Sequence, residues 1–309
     1  MSRVLRFLVV SLFVLLSAGC LGRFATVTVV DQNGEPVSDA EVSMGFLGFP
    51  GWGHGTEATN SSGKVTQWGD DSLGIKTSVS KSGYYRTERR LGTQDSFFLN
   101  ETLVLREKIN PHSMYVRRVS LLFHEQGRTK GFDMKEGDWV EPHGEGKNAH
   151  IFFTFWGEKR GLSDKEGVIE IDFPGNEGGI KNSPYPAAYL FSDYKFPYNA
   201  PESGYKNTIR HNILRRPDHT YRSTLDTNRS GYIFKLVLGQ DGKKGDRDVY
   251  YGKVFEEFAF SPLLDHDTGA EGFVSFAYYL NADKEYTGLE YNKDNLFPDN
   301  NSYRVTFPY

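Results

Sequence analysis

Apolar residues alternate with polar ones at a period of two along most of this 309-residue chain, and long amphipathic helical patterns are missing. A chain patterned this way buries one face of each segment against another sheet, which restricts it to β architectures. From Phe24 it reads FATVTVVDQNGEPVSDAEVSM, with Val27 and Val29 alternating against Thr26 and Thr28. Asp31, Asn33 and Gly34 supply a turn, Pro36 fixes φ on the return, and Val37, Ala40, Val42 and Met44 open the next strand. TNSSGKV (59–65), IKTSVSKSGYYR (75–86) and ETLVLRE (101–107) continue the series. Beyond Pro111, SMYVRRVSLLF is followed by strands carrying Ile151, Phe153 and Phe155, then Val168, Ile169, Ile171 and Phe173. Late strands are expected at 231–239, 249–260, 272–281 and 303–309. The 23 Phe, 18 Tyr and 33 Gly against four Met fit this all-β expectation.

A chain of this length holds about two domains, each able to bury a core without a metal or disulfide staple. Asn110 and Pro111 mark the boundary, because proline breaks strand pairing. Ahead of the first strand, Arg3 and Arg6 precede FLVVSLFVLLSAG, too short to span a bilayer permanently, which reads as an export signal over 1–19. Removing it with its two arginines moves the formal charge from −4 to −6, and such an acidic exported chain is a poor partner for nucleic acid. Cys20 is the only cysteine. Leu16, Ser17, Ala18 and Gly19 before it resemble the bacterial lipobox, which implies diacylglycerol on the Cys20 thiol and a membrane anchored through that lipid. The family pattern prefers Leu where Ser17 stands. Leu21, not Asp, follows the cysteine, so the resemblance implies the outer membrane in a Gram-negative cell. The resulting organisation is 1–19 signal peptide, 20–108 first β domain and 109–309 second β domain.

Three motifs stand in order in the first domain: D-x-x-G-x-P-V-x-x-A-x-V from Asp31, T-x-x-x-G-x-V from Thr59, and V-x-K-x-G-Y from Val79. Residues 24–107 thereby resemble the carboxypeptidase regulatory-like domains of the transthyretin and immunoglobulin-like type. That implies a small seven-stranded sandwich serving as a structural or adhesive module, with no catalytic residue to carry over. GFLGFPGWGHG (45–55) departs from the pattern as a glycine and aromatic insert, with Trp52 a candidate ligand-binding residue or a residue packed over the sandwich end. The second domain is expected to be a larger β-sandwich or jelly-roll-like fold. Its segments GFDMKEGDWVEPHGEGKNAHIFF and YYLNADKEYTGLEYNKDNLF resemble uncharacterised exported proteins of verrucomicrobial and related bacteria, a likeness that carries no activity.

No Walker loop, dinucleotide fingerprint, nucleophile elbow or zincin helix is present, and nothing calls for a cofactor. Asp267-Thr268-Gly269 superficially resembles the aspartic-protease motif, but Asp265 and His266 interrupt the apolar approach that chemistry needs, so a charged turn is expected. Asp241 to Asp248 has oxygen ligands in a turn, yet its lysines oppose a cation. His143 and His150 lack cysteine partners for zinc. Carboxylates at Asp133, Glu136, Asp138, Glu141, Glu170, Asp172, Glu256 and Glu257 leave open a polysaccharide-acting enzyme using an opposed pair. The most suggestive stretch is PYPAAYLFSDYKFPYNAPESGY (184–205). Its Tyr185, Tyr189, Tyr194, Phe196 and Tyr198 either stack on a glycan or pack the loop over its own sheet. The expectation is a lipid-anchored, non-catalytic envelope protein that binds a protein or a polysaccharide, with a purely structural surface component as a further alternative.

Overall fold

The structure is a computed structural model that describes residues 23–47, 52–69, 74–91, 98–175, 177–225, 229–238, 247–263, 269–298 and 303–305. Cys20, the signal segment, residues 48–51 of the insert, 241–246 and the Asp-Thr-Gly at 267–269 apart from Gly269 lie outside the described residues. The chain divides into two compact units, Met1–Lys108 with Pro186–Lys195, and Ile109–Tyr185 with Phe196–Tyr309. The short segment Pro186–Lys195 groups with the first unit. Both units are all-β, and among the described residues the sole helical element is a 3-10 turn at Ala187–Tyr189.

Unit 1 contains β1 (Arg23–Val30), β2 (Glu41–Leu47), β3 (Trp52–Ala58), β4 (Lys64–Gly69), β5 (Ile75–Ser80), β6 (Tyr84–Tyr85), β7 (Thr87–Leu91), β8 (Phe98–Val104) and β9 (Arg106–Glu107). A three-stranded sheet ordered β4-β1-β8 faces a four-stranded sheet ordered β3-β2-β5-β7, a seven-stranded sandwich, with β6 and β9 as a separate pair. β1 runs antiparallel to β4 and parallel to β8. The period-two pattern drives Ala25, Val27 and Val29 inward against Val42, Met44, Phe46, Val79, Leu99 and Leu103. Turn chemistry fixes the connections: the Asn60 carboxamide oxygen accepts the N–H of Ser62 at 2.9 Å and of Lys64 at 3.0 Å. Gly63 follows at φ +70°, where an added Cβ would stand 2.4 Å from the Val29 carbonyl oxygen, so no other residue fits without a shift. The glycine and aromatic insert is largely strand, since Gly45 to Leu47 pair with Trp52 to His54 in the β2–β3 hairpin. Its glycines masked that strand in the sequence.

Unit 2 contains β10 (His112–Phe123), β11 (Lys130–Asp133), β12 (Asp138–Trp139), β13 (Ile151–Gly161), β14 (Asp164–Asp172), β15 (Gly179–Pro184), β16 (Thr208–Arg215) and β17 (Tyr221–Ser223). The chain continues through β18 (Ser230–Leu238), β19 (Asp248–Pro262), β20 (Gly272–Asn281), β21 (Tyr291–Asn295) and β22 (Tyr303–Val305). One sheet is ordered β15-β18-β19-β20-β10-β21, with β22 also on β10, and the other β12-β11-β13-β14-β16-β17. Between them lies an aromatic core in which Phe132, Phe153, Phe258, Phe276 and Tyr278 meet at mostly edge-on or tilted angles. The Tyr278 hydroxyl, buried in that core, donates to the Met134 carbonyl at 2.7 Å. The register of β19 on β20 slips between Phe255 and Ala259, with Glu256 at φ 64°. That bulge sets Glu256 and Glu257 between two buried runs of the same strand.

Candidate functional site

The aromatic connection is not a displayed run of rings. In unit 2, Tyr185 and Phe196 are buried, 5.3 Å apart and nearly perpendicular. The Tyr185 hydroxyl accepts the Glu256 N–H at 3.1 Å, and the ammonium of buried Lys253 lies 5.2 Å from the Phe196 ring centroid while donating to the Leu289 carbonyl at 2.6 Å. Burial pushes the Tyr185 phenol upward from its ordinary value. Tyr198 is half-buried, and its carbonyl accepts the Leu289 N–H.

In unit 1 the remaining rings stack on arginines of the same unit. Arg106, only 4 % exposed, places its guanidinium 4.4 Å from the Tyr189 ring and 4.8 Å from the Tyr194 ring, and Tyr194 stacks in turn on Tyr85 at 4.8 Å. Nη1 of Arg106 donates to the Tyr194 carbonyl at 3.3 Å. Phe191 lies over Arg89 at 4.9 Å and keeps 42 % of its surface exposed. Backbone pairing completes the attachment, with Glu88 N–H donating to Phe191 O at 2.9 Å and Asp193 N–H to Arg86 O at 2.8 Å. Residues 191–193 therefore continue the four-stranded sheet past β7. Trp52 opens β3, and its side chain lies outside the described residues.

The carboxylates of 133–141 organise backbone. Asp133 is 1 % exposed, and its Oδ1 accepts the N–H of Lys135 at 2.9 Å and Glu136 at 3.2 Å. Its Oδ2 accepts the N–H of Lys147 at 3.0 Å and Asn148 at 2.9 Å. His150 Nδ1 stands 3.1 Å from Asp133 Oδ1 and 3.0 Å from the Met134 nitrogen. The Met134 N–H donates to His150 Nδ1, which also lies beside the Asp133 carboxylate. Burial alone would raise the Asp133 carboxyl, but His150 and the amide donors outweigh it and hold the group far below the usual carboxylate range. Asp138 likewise accepts Trp139 N–H at 2.8 Å and Glu145 N–H at 3.2 Å. Glu136 and Glu141 are exposed, Glu170 faces Arg210, and Asp172 accepts the Thr208 hydroxyl. Among the described residues no group of three or more His, Cys, Asp or Glu is placed to hold a metal ion.

A shallow polar groove lies on a different surface. On the outer face of the β3-β2-β5-β7 sheet a groove of about 380 Å³ is lined by Glu41, Ser43, His54, Lys76, Ser78, Ser80 and Arg86. Strand register assembles it: Ser43 opposes Ser78, Glu41 opposes Ser80, and Gly45 lies between His54 and Lys76. Arg86 Nε donates to the Ser78 hydroxyl at 2.8 Å. Its Nη2 stands 2.5 Å from Glu88, which Lys76 meets at 2.8 Å from the other side. The hydrogen bond from Lys76 is the chief reason the Glu88 carboxyl sits below its ordinary range. The groove thus presents hydroxyls, cationic donors and carboxylate acceptors over two neighbouring strands. Sequence reasoning missed it, although K-x-S-x-S on the wet face of β5 was the available signal.

No protein-family model matches the chain, and no curated protein matches it. Among solved structures, 3-chlorocatechol 1,2-dioxygenase from Rhodococcus opacus aligns at 13% identity over 28% of this chain and 60% of its own, with a TM-score of 0.24. A streptococcal ancillary pilin aligns at 9% identity over 91% of this chain and 64% of its own, also at 0.24. BcpA, the major pilin subunit of Bacillus cereus, aligns at 11% identity over 92% and 98%, again at 0.24. The chain therefore spans less than two thirds of the length of the first two. Superpositions at this level carry no argument. The class stands on strand pairing: an all-β protein of two sandwich units.

Proposed function

We propose that this is an exported cell-envelope protein, held in the membrane by diacylglycerol on Cys20, whose role is non-catalytic binding of a hydroxyl-rich glycan. The lipobox-like LSAGC supports the anchor. In a Gram-negative cell, Leu21 after the cysteine assigns it to the outer membrane. The observation that carries the binding role is the groove on the outer face of the unit 1 sheet, where Ser43, Ser78 and Ser80 lie among Lys76, Arg86, Glu41 and Glu88. Sugar hydroxyls both donate and accept, and a surface offering both over a shallow concave area matches them. The module resembled by 24–107 acts in adhesion or support, in keeping with this reading.

Two measurements test it. Intact mass of the N-terminal peptide from the membrane fraction is expected to show a diacylglyceryl Cys20, and the Cys20→Ala chain is expected to remain an unlipidated precursor. Calorimetric titration of the purified chain with a panel of soluble envelope oligosaccharides is expected to yield a binder. Its affinity should drop about tenfold or more in Ser78→Leu, which fills the groove floor and removes a hydroxyl. Absence of saccharide binding, or equal binding by Ser78→Leu, would refute the glycan role.

A further inference from the structure

Arg106, Arg117, Lys130 and Lys253 are the cationic side chains buried among the described residues. Such burial is tolerated when a partner meets the charge. Arg106 reaches the Tyr194 carbonyl at 3.3 Å, Arg117 the Glu136 carbonyl at 2.8 Å, and Lys253 the Leu289 carbonyl at 2.6 Å. Lys130 is the exception, with no acceptor in hydrogen-bond reach among the described residues. It opens β11 in register with Phe153 and two residues before Phe132, both wholly buried, so the period of two turns its side chain to the core-facing side of the sheet. Only 4 % of the residue is exposed, and its Nζ lies 5.9 Å from the ring centroid of buried Trp139. Burial lowers the ammonium from its ordinary value; the Glu125 charge opposes that shift and the Arg128 charge adds to it. Glu125 is itself taken by Arg128, whose Nη1 donates to it at 2.7 Å.

We propose that Lys130 is a carbon dioxide site, its ε-amine converted reversibly to a carbamate whose negative charge is met by Arg128. An amine desolvated beside another cation is held partly neutral and is a nucleophile in that form. Its lone pair forms a bond to the carbon of carbon dioxide, one C=O electron pair moves onto oxygen, and the nitrogen releases a proton to water. Amine and carbon dioxide thus give a carbamate anion and a proton, with no further reagent. Near-complete burial selects for a small electrophile, and carbon dioxide is linear, uncharged and needs no hydrogen bond to pass apolar rings. The product exchanges an unpaired buried cation for an anion. Arg128 spends Nη1 on Glu125 and has further N–H groups for the new oxygens, and His143 lies within electrostatic range of both Lys130 and Arg128.

The test equilibrates the purified full chain with isotope-labelled bicarbonate near neutral pH. A carbamate carbon resonance is expected in wild type by NMR. Fixing the carbamate as its ethyl ester with triethyloxonium ion, followed by peptide mapping, is expected to place the label on Lys130 at about tenfold or more its level on exposed Lys64 and Lys147. Arginine keeps the charge without a nucleophilic amine, so Lys130→Arg should lose the resonance and retain its β-sheet circular dichroism. If that variant does not fold, the wild-type map decides alone. A resonance that persists at full strength in folded Lys130→Arg would overturn the proposal. So would a wild-type map with no more label on Lys130 than on Lys64 and Lys147, or with label confined to the N-terminal amine.

Discussion

Asp133→Asn is expected to lower the unfolding free energy of unit 2 by about 3 to 5 kcal/mol near neutral pH. The substitution preserves size and shape and changes only what the side chain can accept. Each oxygen of Asp133 takes two backbone N–H groups, from Lys135 and Glu136 on one side and Lys147 and Asn148 on the other. Whichever oxygen becomes an amide nitrogen, two donors face a donor in a site that is 1 % exposed. The loop between β11 and β13 then loses the anion around which its backbone turns. Urea unfolding monitored through the aromatic core would read the loss, and an unfolding midpoint equal to wild type would exclude this role.

The same carboxylate fixes a pH dependence. Its folded pKa is depressed, so its contribution is present above the ordinary carboxylate value of about 4. It disappears as pH falls from there toward the depressed value, because the unfolded chain takes up the proton first. Wild type should therefore lose stability below about pH 4, and the gap between wild type and Asp133→Asn should narrow over that acid range.

Arg106→Ala is the second large effect, an expected loss of about 2 to 4 kcal/mol in unit 1. The side chain is nearly wholly buried, its guanidinium lies against the rings of Tyr189 and Tyr194, and its Nη1 reaches the Tyr194 carbonyl. Removing it leaves a cavity bounded by aromatic faces and an amide oxygen without its cationic donor. Residues 186–195 would lose the arginine that bridges Tyr189 and Tyr194 while keeping the backbone bonds of 191–193 and the Phe191 and Tyr85 ring contacts, so cleavage by chymotrypsin at Tyr189 or Tyr194 should accelerate about 10-fold. Arg106→Lys keeps the charge without the planar stack, and should fall between the two. Unchanged proteolysis in Arg106→Ala would mean that the backbone bonds and the other ring contacts hold the segment.

Much of this protein was legible in the order of its residues. Val27 and Val29 against Thr26 and Thr28 specify a half-buried strand wherever that strand ends up, and Asp31, Asn33 and Gly34 specify the turn after it, because these choices depend on neighbours a few positions away. The all-β class follows from such local facts repeated along the chain. The Leu-Ser-Ala-Gly before Cys20 is equally local, and the lipid proposed there rests on that sequence alone.

What tertiary structure decided depends on residues far apart in sequence. The rings of 184–205 read equally as a binding run or as a packed loop, and it is Arg106 and Arg89, some eighty to a hundred positions upstream, that lie over the faces of Tyr189, Tyr194 and Phe191. The polar groove exists because β2 and β5 are neighbours, and Lys130 faces the core because β11 pairs with β13. Period two fixes which side of a strand a residue occupies, but not which strand lies beside it. Sheet order comes from the global fit of two apolar faces, and it is sheet order that turns scattered serines into a surface.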